Sequence, residues 1–383
     1  MSVDIVISIS ILVALTYFIW RLNRTKTPSK KKVSLAKKNK MRKSARQTSH
    51  NYQADIVESA SETPPIKSEF ELPADFLDFR LLLSEKLDDN QQKTVIDISQ
   101  SFRKPHPLLL PLTRGVFEPT ELFDLIKTDA EMTAKILNAV NSPLFALRQP
   151  ITNINHAIIF LGITQVKNIA LQFAVQSNMK FEDEIQNEAY KNLWRASHLA
   201  SSFCLLFAKE MNEDNPAELS THCLLSYLGD LAILSYKPSI SGFYLDNYTL
   251  FERTKIFQNT LGTNASIVGK YLVQQWQLPK SIEIGIAHSI SPLINGTANK
   301  ELSSEQLRHI FLCYLSCRLA DLIAFGGLRD ISHLNELSFD ALGNVEFYYT
   351  QDQLEKSGFS SINDVILDAS FRKKANKIIE QTY

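Results

Sequence analysis

The segment DAEMTAKILNAVNS, residues 129–142, decides the fold class of this chain. Its apolar side chains recur at the spacing of one face of an α-helix, as Met132 and Ile136 illustrate. We expect Thr128 to cap the first turn and Glu131 to reach back to it as a capping box. The segment is therefore predicted to be an amphipathic helix.

The same helical spacing continues over most of the chain that follows. Glycine is sparse, with 12 residues in 383, and no convincing run of alternating strand residues occurs. Further helices are predicted at about 153–161, from 164 onward, and at 188–211, 223–236, 266–275, 281–289 and 304–325. The predicted fold class is all-α.

The N-terminal residues 1–20 are predicted to be a transmembrane anchor. The stretch from Val3 to Trp20 is apolar apart from one Asp and three hydroxyl residues. As a helix it would be about 27 Å long, just enough to span the hydrocarbon core. A cleaved signal peptide is the alternative, but no Lys or Arg precedes the run and no Ala-x-Ala site follows it.

The formal net charge of zero conceals an uneven distribution. Residues 1–46 hold twelve of the 41 Lys and Arg residues and one of the 41 acids, so the remaining chain has 29 basic and 40 acidic residues. Positive charge marks the cytoplasmic side of a membrane, and an acidic body argues against direct nucleic-acid binding. The predicted location is a cytoplasmic membrane, crossed once, with the body in the cytoplasm. The residues expected to meet anionic lipid headgroups are Arg21, Arg24, Lys30, Lys31 and Lys32.

The four cysteines give no recognisable metal motif. Cys204, Cys223, Cys313 and Cys317 lie in apolar helical runs, and none forms a Cys-x-x-Cys pair. We expect them to pack as small hydrophobic side chains, and we expect neither a metal ion nor another cofactor.

Several motifs in a fixed order resemble the HDOD domain of bacterial signalling proteins. The opening segment is similar to the family's DPaLtakvLrlaNS helix, with Ala130 in place of Pro. Residues 151–162 are similar to its i-x-x-i-x-x-A-i-x-x-L-G run, and residues 269–279 to its G-x-x-L-x-x-x-W-x-L-P run. Leu193 and Trp194 begin a helix similar to the family's LW helix. The resemblance covers about 104–295 and implies an HD-like helical bundle.

The family is related to HD-superfamily metal phosphohydrolases, whose His-Asp pair binds metal ions that activate water. In this sequence Ser226 and Tyr227 stand where the resemblance places that pair, and neither can replace it as a metal ligand. The family's His-His position is occupied by His288 and a serine, and a further histidine position by Asn264 or a neighbour. The resemblance therefore implies a protein without the metal site, and we expect no enzymatic activity.

A few polar residues remain as candidates for a cleft where the active site of the relatives lies. His198 is near the first histidine position and Asp230 follows the substituted pair, although ordinary structural roles are the simpler interpretation for both. The candidate ligand-binding residues are His198, Ser226, Tyr227, Asp230 and His288.

The predicted function is a non-catalytic, membrane-anchored signalling or scaffolding protein that binds partner signalling proteins. The alternatives are a residual metal-dependent phosphohydrolase and a sensor that binds a nucleotide or small ligand in the former active-site cleft. The predicted organisation is an anchor at 1–20, a basic disordered juxtamembrane segment and linker at 21–70, a helical extension at 71–103, an HDOD domain at 104–295 and a second helical extension at 296–383.

Overall fold

The computed structural model describes residues 70–382 apart from 103, 116, 142–146, 148, 177–182 and 295–301. Every regular element within these residues is a helix, which confirms the all-α prediction. The α-helices, α1 to α17 in chain order, are Asp89–Ser101, Leu109–Thr113, Pro119–Ile126, Ala130–Val140, Ile154–Leu161, Ile163–Gln176, Glu184–Glu210, Pro216–Leu225, Leu228–Tyr236, Leu250–Leu261, Ala265–Gln275, Lys280–Ala287, Ser304–Ala324, Phe339–Leu342, Thr350–Lys356, Ile362–Leu367 and Ala369–Glu380.

No helix in the described part of the chain is both long enough and apolar enough to cross a membrane. The predicted anchor, residues 1–20, lies outside the described residues, as does the basic segment at 21–69. The membrane topology therefore stays a prediction from the sequence.

Helix α7 is the central helix of the fold. It packs along α13 and α8, and its aromatic residues Phe203 and Phe207 are fully buried. Helix α17, near the C-terminus, also packs on α7, and the ring centroids of Phe207 and Phe371 lie 4.8 Å apart. Residues from the C-terminal extension thus complete the hydrophobic core.

Two glycines allow helices α9 and α11 to approach each other closely. A Cβ atom added to Gly229 would lie 1.8 Å from the carbonyl oxygen of Ala265, which no real structure tolerates. One added to Gly269 would lie 2.7 Å from a side-chain carbon of Ile286 and 3.4 Å from the backbone nitrogen of Gly229. This contact fixes the position of the residues that begin α9.

The capping box predicted at Thr128 is wrong. Helix α4 begins one residue later, because the carboxylate of Asp129 accepts the backbone N–H of Met132 at 2.7 Å. The Thr128 hydroxyl instead donates to the carbonyl of Leu125. A carboxylate is the better acceptor at this position because it also opposes the positive end of the helix dipole.

The single buried helix predicted at 223–236 is also wrong, because the chain breaks into α8 and α9. The break falls at Ser226 and Tyr227, where the Ser226 hydroxyl donates to the carbonyl of His222 at 2.8 Å. Both segments are buried on nearly all sides, so no alternation of apolar and polar faces marks the break.

Candidate functional site

The break between α8 and α9 directs the Tyr227 side chain into the core. Its hydroxyl lies 2.7 Å from Oδ1 of Asp321 and 3.0 Å from the carbonyl oxygen of Cys317, both on α13. Burial, together with the neighbouring Asp321 charge, raises the pKa of Tyr227 well above its usual value. Tyr227 is therefore a neutral donor to the Asp321 carboxylate.

Asp321 is the centre of a buried group of charges. Its Oδ2 accepts hydrogen bonds from Nη2 of Arg253 at 2.8 Å and from Nη1 of Arg318 at 2.7 Å. The exposed fractions of these three residues are 5%, 2% and 4%. With Tyr227 on Oδ1, both oxygens of the carboxylate are held by protein donors.

Both arginines stay protonated in this site. Burial would lower the pKa of Arg253, but the charges of Asp321 and Asp230 raise it above the usual value. Burial would likewise lower the pKa of Arg318, which Asp321 and Glu346 raise. The site thus contains two permanent positive charges that are compensated by buried carboxyl groups.

Asp230 and Glu346 complete the group. The Tyr244 hydroxyl donates to Oδ1 of Asp230 at 2.9 Å, and burial raises the pKa of Asp230 although Arg253 acts in the opposite direction. Burial also raises the pKa of Glu346, whose Oε1 accepts the backbone N–H of Leu250. The set comprising Tyr227, Asp230, Tyr244, Arg253, Arg318, Asp321 and Glu346 is called the Asp321 cluster below.

Aromatic rings cover the guanidinium group of Arg253. Its carbon Cζ lies 4.9 Å from the ring centroid of Phe325 and 5.5 Å from that of Tyr244. Its Nη1 donates to the carbonyl of Tyr248 at 2.7 Å. A guanidinium stacked in this way is held by cation–π attraction as well as by hydrogen bonds.

The Asp321 cluster brings together two of the five candidate residues, Tyr227 and Asp230. Ser226 has its hydroxyl on the backbone of α8, as described above. His198 lies on α7, where burial lowers its pKa to about 4. His288 ends α12, and its carbonyl accepts hydrogen bonds from the backbone and hydroxyl of Ser291.

Asn264 serves as a helix cap. Its Oδ1 accepts the backbone N–H of Ile267 at 3.2 Å at the start of α11. Its Nδ2 donates to the carbonyl of Leu82 at 3.0 Å, which ties the N-terminal extension to the body. Asn264, one of the residues that the resemblance offers for a histidine position, is therefore a structural amide.

Within the part of the chain that the structure describes, His198, Asp230 and His288 do not bring their ligating atoms within 4.8 Å of one another. Among the described residues, one set of three His, Cys, Asp or Glu side chains has its ligating atoms within 4.8 Å of one another, and it is made of cysteines. The Asp321 cluster is held together by hydrogen bonds and by compensation of its buried charges.

A cavity of about 280 Å³ lies elsewhere, between α1 and α11. Val95, Ile96, Ile267, Lys270 and Tyr271 contribute to its wall, and none of the five candidates does.

Sequence reasoning missed Arg253, Arg318 and Asp321. A signal for two of them was present, because Arg318 and Asp321 stand three residues apart inside the apolar run of the predicted helix 304–325. Charged residues at buried helical positions require partners, so they point to a buried ion pair.

Comparison with known proteins identifies the domain that contains helices α3 to α12 and the break between α8 and α9. The family model for the HDOD domain matches residues 112–292. Residues 112–292 form an HDOD domain. Tyr227, Asp230 and Arg253 lie inside the HDOD domain, whereas Arg318 and Asp321 come from α13 beyond it. The Asp321 cluster therefore joins the HDOD domain to the C-terminal helices.

Solved structures with a similar helical fold include three bacterial proteins. A candidate signal transduction protein from Marinobacter aquaeolei is 15% identical, with a TM-score of 0.50 over 78% of this chain and 67% of that one. A candidate phosphohydrolase from Shewanella amazonensis is 13% identical, with a TM-score of 0.49 over 76% of this chain and 98% of that one. An HDOD domain protein of unknown function from Geobacter sulfurreducens is 17% identical, with a TM-score of 0.42 over 72% of this chain and 90% of that one. No curated protein matches the chain.

Proposed function

We propose that this chain is a non-catalytic signalling protein whose HDOD domain binds partner proteins at the cytoplasmic face of a membrane. The observation that carries the proposal is the hydrogen bond from Tyr227 to Asp321. The residue at the position of the family's metal-binding aspartate is thereby engaged in a structural contact with a carboxylate that two arginines already neutralise.

A catalytic metal ion would be electrostatically unfavourable in the Asp321 cluster. Mg²⁺ and Mn²⁺ require carboxylate or imidazole ligands with free lone pairs. The Asp321 oxygens are directed at Tyr227, Arg253 and Arg318. A divalent ion would have to displace these donors and would then lie next to two guanidinium charges.

The membrane part of the proposal rests on residues 1–46, with their apolar run followed by twelve basic residues. A tether of this kind would hold the HDOD domain near the inner face of the membrane, where it meets membrane-bound partners at a raised effective concentration. The Marinobacter aquaeolei structure is described as a candidate signal transduction protein, which agrees with a role of this class.

The experiment compares two forms of the chain in a strain that lacks the native protein. One form is the full chain and the other begins at residue 47. We expect both to accumulate as folded protein, and we expect the full chain alone to restore the phenotype and to capture a defined partner from solubilised membranes after crosslinking.

Full restoration by the form that begins at residue 47 would contradict the role of the anchor. A catalytic function would be supported instead if the full chain, supplied with Mn²⁺ or Mg²⁺, hydrolysed phosphomonoesters or phosphodiesters and lost that activity on Asp230→Asn.

A further inference from the structure

The cysteines of the chain converge on one point in the core. Cys204 lies on α7, Cys223 on α8 and Cys313 on α13, and their three Sγ atoms lie within 4.8 Å of one another. Their exposed fractions are 0%, 0% and 5%. Three different helices, one of them distant in sequence from the other two, thus each direct one thiol to the same place.

The fourth cysteine lies at the edge of this group. Cys317 is one helical turn after Cys313 on α13, and its thiol lies beside that of Cys223. It is 2% exposed. All four cysteines in 383 residues are therefore neighbours, although packing alone requires only small apolar side chains at these positions.

The sulfur positions fit a single soft metal ion. The Sγ atoms of Cys204 and Cys313 are 3.9 Å apart. Two thiolates bound to zinc at about 2.3 Å with trigonal or tetrahedral angles are separated by about 3.8–4.0 Å. The third sulfur, within 4.8 Å of both, reaches the same ion after a movement of less than about 1 Å, which a side-chain rotation supplies.

The present partners of the thiols are weak. The Cys223 thiol donates to the carbonyl of Cys313 at 3.7 Å, and the Cys313 thiol donates to that of Leu219 at 3.6 Å. A thiol is a poor hydrogen-bond donor. Little stabilisation is therefore lost when these protons are replaced by a metal ion.

We propose that Cys204, Cys223 and Cys313 bind a structural zinc ion, with Cys317 as the nearest further thiol. Each coordinating thiol releases one proton to solvent and no electron is transferred, so the site is structural and not redox-active. Three thiolates and Zn²⁺ carry a net charge of −1, whereas the same ligands with Cu⁺ would carry −2. Because burial of charge is costly, zinc is the favoured ion.

The site would connect parts of the chain that the family comparison separates. Cys204 and Cys223 lie within the HDOD domain, and Cys313 lies on α13 beyond residue 292. The zinc ion would hold α13 against α7 and α8. It would lie next to the Asp321 cluster, because the Tyr227 hydroxyl contacts the carbonyl of Cys317. This site is separate from the phosphohydrolase metal site that we propose to be absent.

The test is elemental analysis of the purified full chain, prepared under reducing conditions and then incubated with a weak chelator. We expect about one zinc ion per chain, as in closed thiolate sites. We also expect the Co²⁺-substituted protein to show a thiolate-to-cobalt charge-transfer band. Cys204→Ser combined with Cys313→Ser should lower the zinc content at least tenfold and abolish the band.

A packing control separates loss of metal from loss of fold. Leu312 is fully buried on the same helix, and Leu312→Ala should lower the melting temperature while the zinc content stays unchanged. Copper bound in place of zinc would overturn the choice of ion. Absence of both metal and cobalt spectrum in the wild-type chain would overturn the site and leave buried thiols only. Zinc retained in the double cysteine variant would place the metal elsewhere and would also overturn it.

Discussion

The Tyr227 hydroxyl and the Asp321 Oδ1 atom are joined by a 2.7 Å hydrogen bond between residues 94 positions apart in the chain. Tyr227 lies in the break between α8 and α9, and Asp321 lies in the C-terminal half of α13. The bond therefore connects these two parts of the fold. The family resemblance assigns the position of Tyr227 to a metal-binding aspartate of HD-superfamily enzymes. In this chain the side chain at that position makes a buried hydrogen bond to Asp321.

Tyr227→Phe removes this hydrogen bond without changing the shape of the side chain. Because the Asp321 oxygen loses one of its donors in a buried site, we expect the free energy of unfolding to fall by about 1–2 kcal/mol. Urea unfolding of the purified chain measures the difference. The control is Tyr236→Phe, since Tyr236 is 41% exposed and its replacement should cost less than about 0.5 kcal/mol. Equal effects of the two substitutions would refute the structural role of the Tyr227 hydroxyl.

Asp321→Asn removes the charge that Arg253 and Arg318 share. Two buried guanidinium groups then lose their common partner, and we expect a loss of about 3–5 kcal/mol. The exposed ion pair of Asp352 and Lys356 provides the control, because Asp352→Asn should change stability by less than about 1 kcal/mol. Thermal unfolding of both variants would reveal the difference, and a stable Asp321→Asn protein would show that the arginines do not depend on this carboxylate.

Gly229→Ala tests the close approach of α9 and α11. The new methyl group would lie 1.8 Å from the backbone oxygen of Ala265, so one helix must move. We expect a loss of about 1–3 kcal/mol or more from this overpacking. At Gly242 the nearest atom to an added Cβ is 3.8 Å away, so Gly242→Ala should be tolerated. Comparable melting temperatures for the two variants would contradict the predicted helix contact.

His198 should make the chain less stable as the pH falls. Burial lowers its pKa from 6.5 to about 4 in the folded chain, so the unfolded chain binds a proton more readily between these values. Its neutral form therefore favours folding above about pH 6.5, and this contribution is lost as the pH falls towards 4. We expect the loss to be about 2 kcal/mol between pH 7 and pH 5. His198→Leu should have a correspondingly flatter dependence of unfolding free energy on pH, and parallel curves for the two proteins would disprove the shift.

The all-α class could be predicted from the sequence because it depends on local spacing, whereas the HDOD domain was indicated by the resemblance of several motifs to that family. The amphipathic segment 129–142 and the motif at 269–279 show their helical period without any tertiary information. The break at Ser226 was not predictable in this way. Residues 219–225 and 228–234 are buried on all sides, so no change of period marks the point where α8 ends.

The sequence pointed to only some residues of the Asp321 cluster, and their role as ligand-binding residues stays a prediction. Tyr227 and Asp230 were found because the family resemblance marks their positions, and both belong to the Asp321 cluster. Arg253 and Asp321 were missed because their meeting depends on the tertiary packing of α10 and α13, 68 residues apart. The convergence of the cysteines was missed for the same reason, since Cys204, Cys223 and Cys313 lie on three different helices.

Mn²⁺ binding to the purified full chain, followed by electron paramagnetic resonance, tests most directly whether the HDOD domain is non-catalytic. Mn²⁺ prefers oxygen and imidazole ligands, so the cysteines should not interfere, and the Cys204→Ser and Cys313→Ser variant checks this. We predict no saturable Mn²⁺ binding and no phosphate-ester hydrolysis in its presence. One or two tightly bound Mn²⁺ ions per chain, lost on Asp230→Asn and accompanied by hydrolysis, would contradict the proposal.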